Sequence, residues 1–225
     1  MPNSKFERLL AKNSPFLTRG HDFVDIGGVK WATCNVGAEK PTDMGLYFAW
    51  GETKGYTADE VRQGKRLFNW KDYQLITFGN LSKYNEYDRK TGLDKIDDPV
   101  AINWGGRWRL PTADEFAALR NAVNTELVKD YQGSGVAGFV CTDKTDSSKV
   151  LFFPAAGYCI NDSVSGVSGC GYYWSSYLYS PFHVRSAYCL YFCMYGMGSV
   201  SDYRHYGFSV RGVVDENSIN SAKLR

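Results

Sequence analysis

Apolar and polar positions alternate most clearly between Ser186 and Tyr195. Tyr188, Leu190 and Phe192 fill one set of alternate positions, and Ala187, Cys189, Tyr191, Cys193 and Tyr195 fill the other. Successive side chains of a strand point to opposite faces, so this spacing predicts a strand that buries the first set and shows Cys189, Tyr191, Cys193 and Tyr195 to a partner. Gly196 and Gly198 bracket Met197 and read as a turn, with a second strand returning from Val200 to Val210. The same patterning predicts a hairpin between His21 and Val36 around Gly27 and Gly28, and a buried run from Leu46 to Trp50. It also predicts a strand pair, Gly138 to Thr142 and Val150 to Pro154, joined by Asp143 to Lys149.

Helical spacing occurs twice. Phe6, Leu9 and Leu10 follow Ser4, a residue suited to an N-cap, and precede Pro15, which predicts a short amphipathic helix over Ser4 to Lys12. Thr112 with Glu115 three residues later makes a capping box, Asp114 and Glu115 suit the positive helix end, and Phe116 and Leu119 mark the buried stripe. Between Thr53 and Val100 the chain is polar and weakly periodic. Such a length predicts an ordered excursion packed by Phe68, Trp70, Tyr73, Leu75 and Phe78 rather than an empty loop. The order of helix, strands, excursion, helix and many strands is an α+β pattern without a series of parallel crossovers.

Composition narrows the function. With 225 residues, 44% hydrophobic and 16% aromatic, the chain can bury a sizeable core as one domain with short appendages. The net charge is only +2 and no Lys/Arg stripe interleaves with the aromatics, which argues against a nucleic-acid partner. No apolar run is long enough for a secretory leader or a bilayer span, so the chain reads as a soluble protein without a signal peptide, cytoplasmic as made and without membrane insertion. Six cysteines in a chain of this length do not read as a disulfide framework. Cys189 and Cys193, four apart on one strand, would sit about 13 Å from each other, too far for a bond. With no CxxC and no second close Cys or His pair, no metal and no cofactor are expected.

One compositional bias points to a use. After Trp174, through Arg211, there is no Lys, Glu, Gln, Asn or Trp, while Tyr, Ser, Cys and Gly stay frequent. Tyr supplies large amphipathic contact area at low entropy cost and Ser supplies adaptable hydrogen bonds, a combination suited to a binding surface. The candidate ligand-binding residues are Tyr177, Tyr179, His183, Arg185, Cys189, Tyr191, Cys193, Tyr195, Ser201, Tyr203, His205 and Tyr206. His183 and His205 read as exposed polar positions. Arg204 and Arg211 read as framework groups, and Tyr172, Tyr173 and Trp174 as core. No catalytic residue is assigned.

Six separated motifs carry a family likeness: Trp31-Ala-Thr-Cys-Asn-Val-Gly-Ala, Tyr47-Phe-Ala-Trp-Gly-Glu, Asn103-Trp-Gly-Gly-Arg-Trp-Arg-Leu-Pro-Thr, Phe153-Pro-Ala-Ala-Gly-Tyr, Gly171-Tyr-Tyr-Trp-Ser-Ser and Gly207-Phe-Ser-Val-Arg. Together they resemble the C-type-lectin-fold domains on the formylglycine-generating-enzyme branch. Within that branch they resemble the variable proteins of diversity-generating retroelements, the class of the phage major tropism determinant. The likeness implies a C-type lectin fold with paired N- and C-terminal strands, two helices and a long irregular insertion. It divides the chain into an N-terminal helical segment (1–20), a C-type-lectin-fold domain (21–213) with a variable ligand-binding region at about 172–211, and a C-terminal tail (214–225). It also implies a protein or glycan receptor on a cell surface as partner, a place in a virion such as a phage tail, and leaves homo-oligomer formation open.

In that family, template adenines are copied with errors. Asn codons ending in C and randomised at both adenines can yield Tyr, Ser, Cys, His, Phe, Val, Arg, Asp, Gly or Pro among others, but never Lys, Glu, Gln, Trp or Met. Tyr177 to Tyr206 obeys this except at Met194 and Met197, and cysteines on an exposed strand face would then be products of random coding. One alternative is a non-diversified adhesion or structural module of the same fold. Another is a formylglycine-generating-type oxidase, which needs a pair of reactive thiolates. Its tryptophan–glutamate–tryptophan motif does not appear before the C-terminal region. A calcium lectin would need clustered carboxylate and amide oxygens, whereas this region holds only Asp202.

Overall fold

Gly27 and Gly28, both at positive φ, turn the chain back on itself and pair β1 (Phe23–Ile26) with β2 (Val29–Asn35). The computed structural model describes Thr18 and residues 20–216, so the helix expected over Ser4 to Lys12 lies outside the described residues. Beyond β2, the excursion opens with α1 (Ala58–Arg62), closed at its start by a Thr57–Glu60 capping box. It continues through a small hairpin, β3 (Ile76–Thr77) with β4 (Asn80–Leu81), and ends in α2 (Pro99–Trp104), capped by Asp98. Phe68, Tyr73 and Leu75 are buried as expected, and Trp70 is half-buried. Phe78 is not: it stands fully exposed at the hairpin tip, with φ of 51°.

After β5 (Trp108–Arg109) comes α3 (Ala113–Ala122), with the Thr112–Glu115 capping box in place and Phe116 and Leu119 buried. Arg109 adds a bidentate bond to Glu115, at 2.8 and 2.7 Å. Then follow β6 (Val123–Val128), β7 (Gly138–Asp143) and β8 (Val150–Pro154), a three-stranded antiparallel sheet that contains the expected pair and one further strand. A small hairpin, β9 (Tyr158–Ile160) with β10 (Ser163–Ser165), precedes β11 (Cys170–Leu178), β12 (Ser186–Cys193) and β13 (Gly196–Tyr203). β14 (Arg211–Val214) returns to pair with both β2 and β5, so strands from the two ends of the described chain close one four-stranded sheet. The architecture is α+β and mostly sheet, with three α-helices among the described residues where the likeness implied two. β14 also takes in Val214, which the sequence reading placed in the tail.

The sheet β11–β12–β13 lies between two cores. On one face Tyr173, Leu190 and Phe192 pack with Trp31, Phe116, Phe139 and Phe153, and α3 lies against all three strands. Gly171 makes this possible, because a Cβ there would collide with the Phe192 ring. On the other face Trp174, Leu178, Ala187 and Cys189 join the larger cluster with Trp50 and Phe208. Burying Leu190 and Phe192 contributes roughly 2–3 kcal/mol each.

Three expectations for this sheet are corrected. Tyr188, expected in the buried set, is half-buried near the start of β12 and packs edge-on against Tyr179. The turn is Met194–Tyr195, because Cys193 pairs with Gly196, and the return strand is Gly196–Tyr203 rather than Val200 to Val210. Cys189 and Cys193 are buried, not displayed. Alternation separated the two faces correctly but does not reveal that both are covered, the second by the chain between Arg204 and Val210.

Arg204 and Arg211 are fully buried framework groups. Arg204 donates to the Tyr73 hydroxyl and to the carbonyls of Lys83, Tyr84 and Val184, which pins the excursion to the end of β13. Arg211 donates to Asn35 Oδ1 and to the carbonyls of Ala32, Thr33 and Phe152, tying the terminal sheet to β8.

Candidate binding face

Tyr172 on β11 and Tyr191 on β12 are direct cross-strand partners, with ring centroids 4.7 Å apart. Tyr158 of β9 meets the Tyr172 ring edge-on at 5.3 Å, and Phe208 lies beneath it at 4.8 Å. From Phe208 the aromatic contacts continue to Tyr206 at 6.3 Å, and from Tyr206 to His205 at 4.6 Å and Tyr203 at 5.7 Å. Trp70, reaching in from the excursion, meets His205 at 4.6 Å and Tyr203 at 6.3 Å, and the Arg185 guanidinium lies 5.2 Å over its ring. Ring-to-ring contact therefore forms one band from Tyr191 to Arg185, drawn from chain segments far apart in sequence.

The band is half-buried, which suits recognition. Tyr158, Tyr172, Tyr191 and Tyr206 are intermediate in exposure, and Tyr203 is 48% exposed. The hydroxyls of Tyr158, Tyr203 and Tyr206 have no hydrogen-bond partner among the described residues, so each is free to bond a ligand. A hydrogen bond with Cys193, reinforced by burial, pushes the Tyr191 phenol up to about 12. Burial raises Tyr172 as well. Both are neutral donors near pH 7.

Asp202, on the same face of the sheet, is raised by burial, while its Oδ1 accepts from the Tyr203 N–H at 2.8 Å. His205 forms the floor. It is only 7% exposed, its Nδ1 has no partner, and burial, helped by the Arg66 charge, lowers its imidazole to about 4.

At the Trp70 end the band meets an open cleft of about 580 Å³ lined by Trp70, Ile76, Asn80, Glu86, Tyr87 and Arg185. Neither Glu86 nor Arg185 forms an ion pair among the described residues.

The twelve candidates fall into groups. Arg185, Tyr191, Tyr203 and Tyr206 belong to the exposed part of the band, and His205 to its floor rather than to the exposed surface expected of it. Tyr179 and His183 form a separate exposed patch with Tyr188, at 5.8 and 5.3 Å from the Tyr179 ring. Tyr177 lies against Gly92, and Tyr195 is 90% exposed in the turn after β12. Ser201 is the partner of Tyr188 and so lies on the opposite face from Tyr191.

Cys189 and Cys193 are withdrawn from the surface. Their burial also removes the argument that they are chance products on an exposed face. Burial holds the Cys189 thiol well above its usual value, the opposite of what a thiolate nucleophile needs. The sequence reading missed Trp70, Tyr158 and Asp202 and counted Tyr172 as core. No local signal marks Trp70, Tyr158 and Tyr172, because each joins the face through a ring contact with another segment, whereas Asp202 is placed there by the β12–β13 register.

Among the described residues no group of three or more His, Cys, Asp or Glu could hold a metal ion, and no helix is long and apolar enough to cross a membrane. Comparison with known proteins finds no matching family model, no matching curated protein and no matching solved structure.

Proposed function

We propose that this chain is a binding protein of the C-type-lectin fold whose aromatic band and adjoining cleft take a protein or glycan receptor on a cell surface, with a retroelement-diversified segment at about 172–211. The observation that carries the reading is the band itself: half-exposed tyrosines in edge-on and tilted ring contact, three of them with hydroxyls that have no partner among the described residues, over a packed core. Rigid aromatic anchors around a few adaptable polar groups are what a recognition surface needs. The six-motif likeness, the joined terminal strands and the codon-compatible composition of Tyr177 to Tyr206 support the fold and the diversification. A virion attachment component, such as a phage tail receptor-binding protein, is the setting this combination fits.

The test has two arms. In the first, binding of the purified chain to intact candidate host cells is compared with that of Tyr191→Ala/Tyr203→Ala. Saturable binding lost in the double variant, with its fold retained, is expected, and equal binding by both would overturn the assignment of the face. In the second, the neighbouring DNA is sequenced for a reverse-transcriptase gene and a near-copy of the 172–211 coding segment carrying adenines at the outward codons. Their absence would overturn diversification and leave a constant adhesion module.

A further inference from the structure

Cys170 opens β11, Cys193 closes β12, and the two are direct partners in the antiparallel register. Cys170 donates its N–H to the Gly166 carbonyl, and its own carbonyl accepts from the Gly157 N–H. The N–H and C=O of one strand residue point the same way, so both groups of Cys170 face away from β12. Cys170 and Cys193 are therefore a non-hydrogen-bonded pair, the kind in which Cα atoms sit about 4.5 Å apart and side chains come closest. That spacing falls inside the range a disulfide needs. Both thiols are free, Cys170 half-exposed and Cys193 buried beside it.

We propose that Cys170 and Cys193 are a disulfide-forming pair, a modification site closed by exchange with a small-molecule disulfide such as oxidised glutathione. The half-exposed Cys170 thiolate attacks one sulfur of the oxidant and expels the other as a thiolate. The Cys193 thiolate then attacks Cys170 Sγ and expels the second. The protein loses two hydrogens, whose protons the released thiolates take up, and the oxidant is reduced to two thiols. The new bond closes the segment that carries Tyr172, Tyr191 and the exposed turn around Tyr179 to Arg185. It thereby restricts the unfolded chain and stiffens the aromatic face. The pairing follows from the strand register and does not depend on what that face binds.

The full chain is incubated with oxidised glutathione at mildly alkaline pH, because burial and the neighbouring Cys193 raise the Cys170 thiol, and is then digested without reduction for mass mapping. The expected product has lost two hydrogens, carries a single Cys170–Cys193 cross-link, and melts several degrees above the reduced protein. Cys34→Ala should keep the cross-link and the gain in melting temperature. Cys170→Ala should lose both, and Cys193→Ala gives the same readout if the first variant does not melt cooperatively. A glutathione adduct that stays on Cys170, a cross-link between other cysteines, or no oxidation of the pair would overturn the proposal.

Discussion

Two populations of tyrosine divide this molecule. Tyr47, Tyr73, Tyr84 and Tyr173 are fully buried, and each hydroxyl donates to a fixed acceptor: the Ala156 carbonyl, the Trp50 carbonyl, Asp97 and the Pro154 carbonyl, at 2.6 to 2.8 Å. Tyr158, Tyr172, Tyr191, Tyr203 and Tyr206 pack ring against ring, and three of their hydroxyls are left to solvent. The same side chain thus works as a structural rivet in one region and as a contact surface in the other. What differs is whether its polar end meets a protein acceptor. A buried hydroxyl without its acceptor costs about 1–3 kcal/mol, whereas a solvated one costs nothing, so only the second population is free to change.

The largest effect should come from Arg204, the hub between the two populations. Arg204→Ala removes four buried donor contacts and the cation over Trp50, and should cost about 3–5 kcal/mol in urea denaturation. A loss below about 1 kcal/mol would mean that the excursion is not held through this residue. Tyr73→Phe comes next. It strips the donor from the Trp50 carbonyl and the acceptor from Arg204 Nε, and should cost about 1–3 kcal/mol with no change in ligand binding.

His205 sharpens the boundary between the regions through pH. Its folded-state value of about 4 lies below the ordinary 6.5, so the unfolded chain takes up the proton first as pH falls. The contribution of the neutral buried ring is complete above about pH 6.5, declines between 6.5 and about 4, and levels off below. A loss of about 1–2 kcal/mol across that window is expected from thermal melts, and His205→Phe should flatten it. An equal slope in the variant would assign the loss to other groups. The smallest effect belongs to the outer band. Tyr203→Ala should cost under about 1 kcal/mol of stability while reducing receptor binding by tenfold or more. A stability loss as large as that of Tyr73→Phe would erase the distinction between the two populations.

Local chemistry carried much of this architecture into the sequence. The Thr112–Glu115 box, the Gly27–Gly28 hairpin, the strand pair before Pro154 and the buried set Leu190 and Phe192 each depend on residues near one another in the chain, so spacing alone determined them. Arg204 and Arg211 were legible only as framework groups, because their acceptors on Tyr73, Lys83 and Tyr84 and on Ala32, Thr33, Asn35 and Phe152 lie far away in the chain. Contacts between distant segments decided the rest. Cys189 and Tyr191 share one strand face, yet Cys189 lies in the core and Tyr191 at the surface, because Trp174 and the segment from Arg204 to Val210 cover one and not the other. Trp70 joins Arg185 and His205 across more than a hundred residues, and Cys170 faces Cys193 only through the strand register. A period of two tells which side chains share a face. Which face meets solvent is settled only when the remaining chain packs against it.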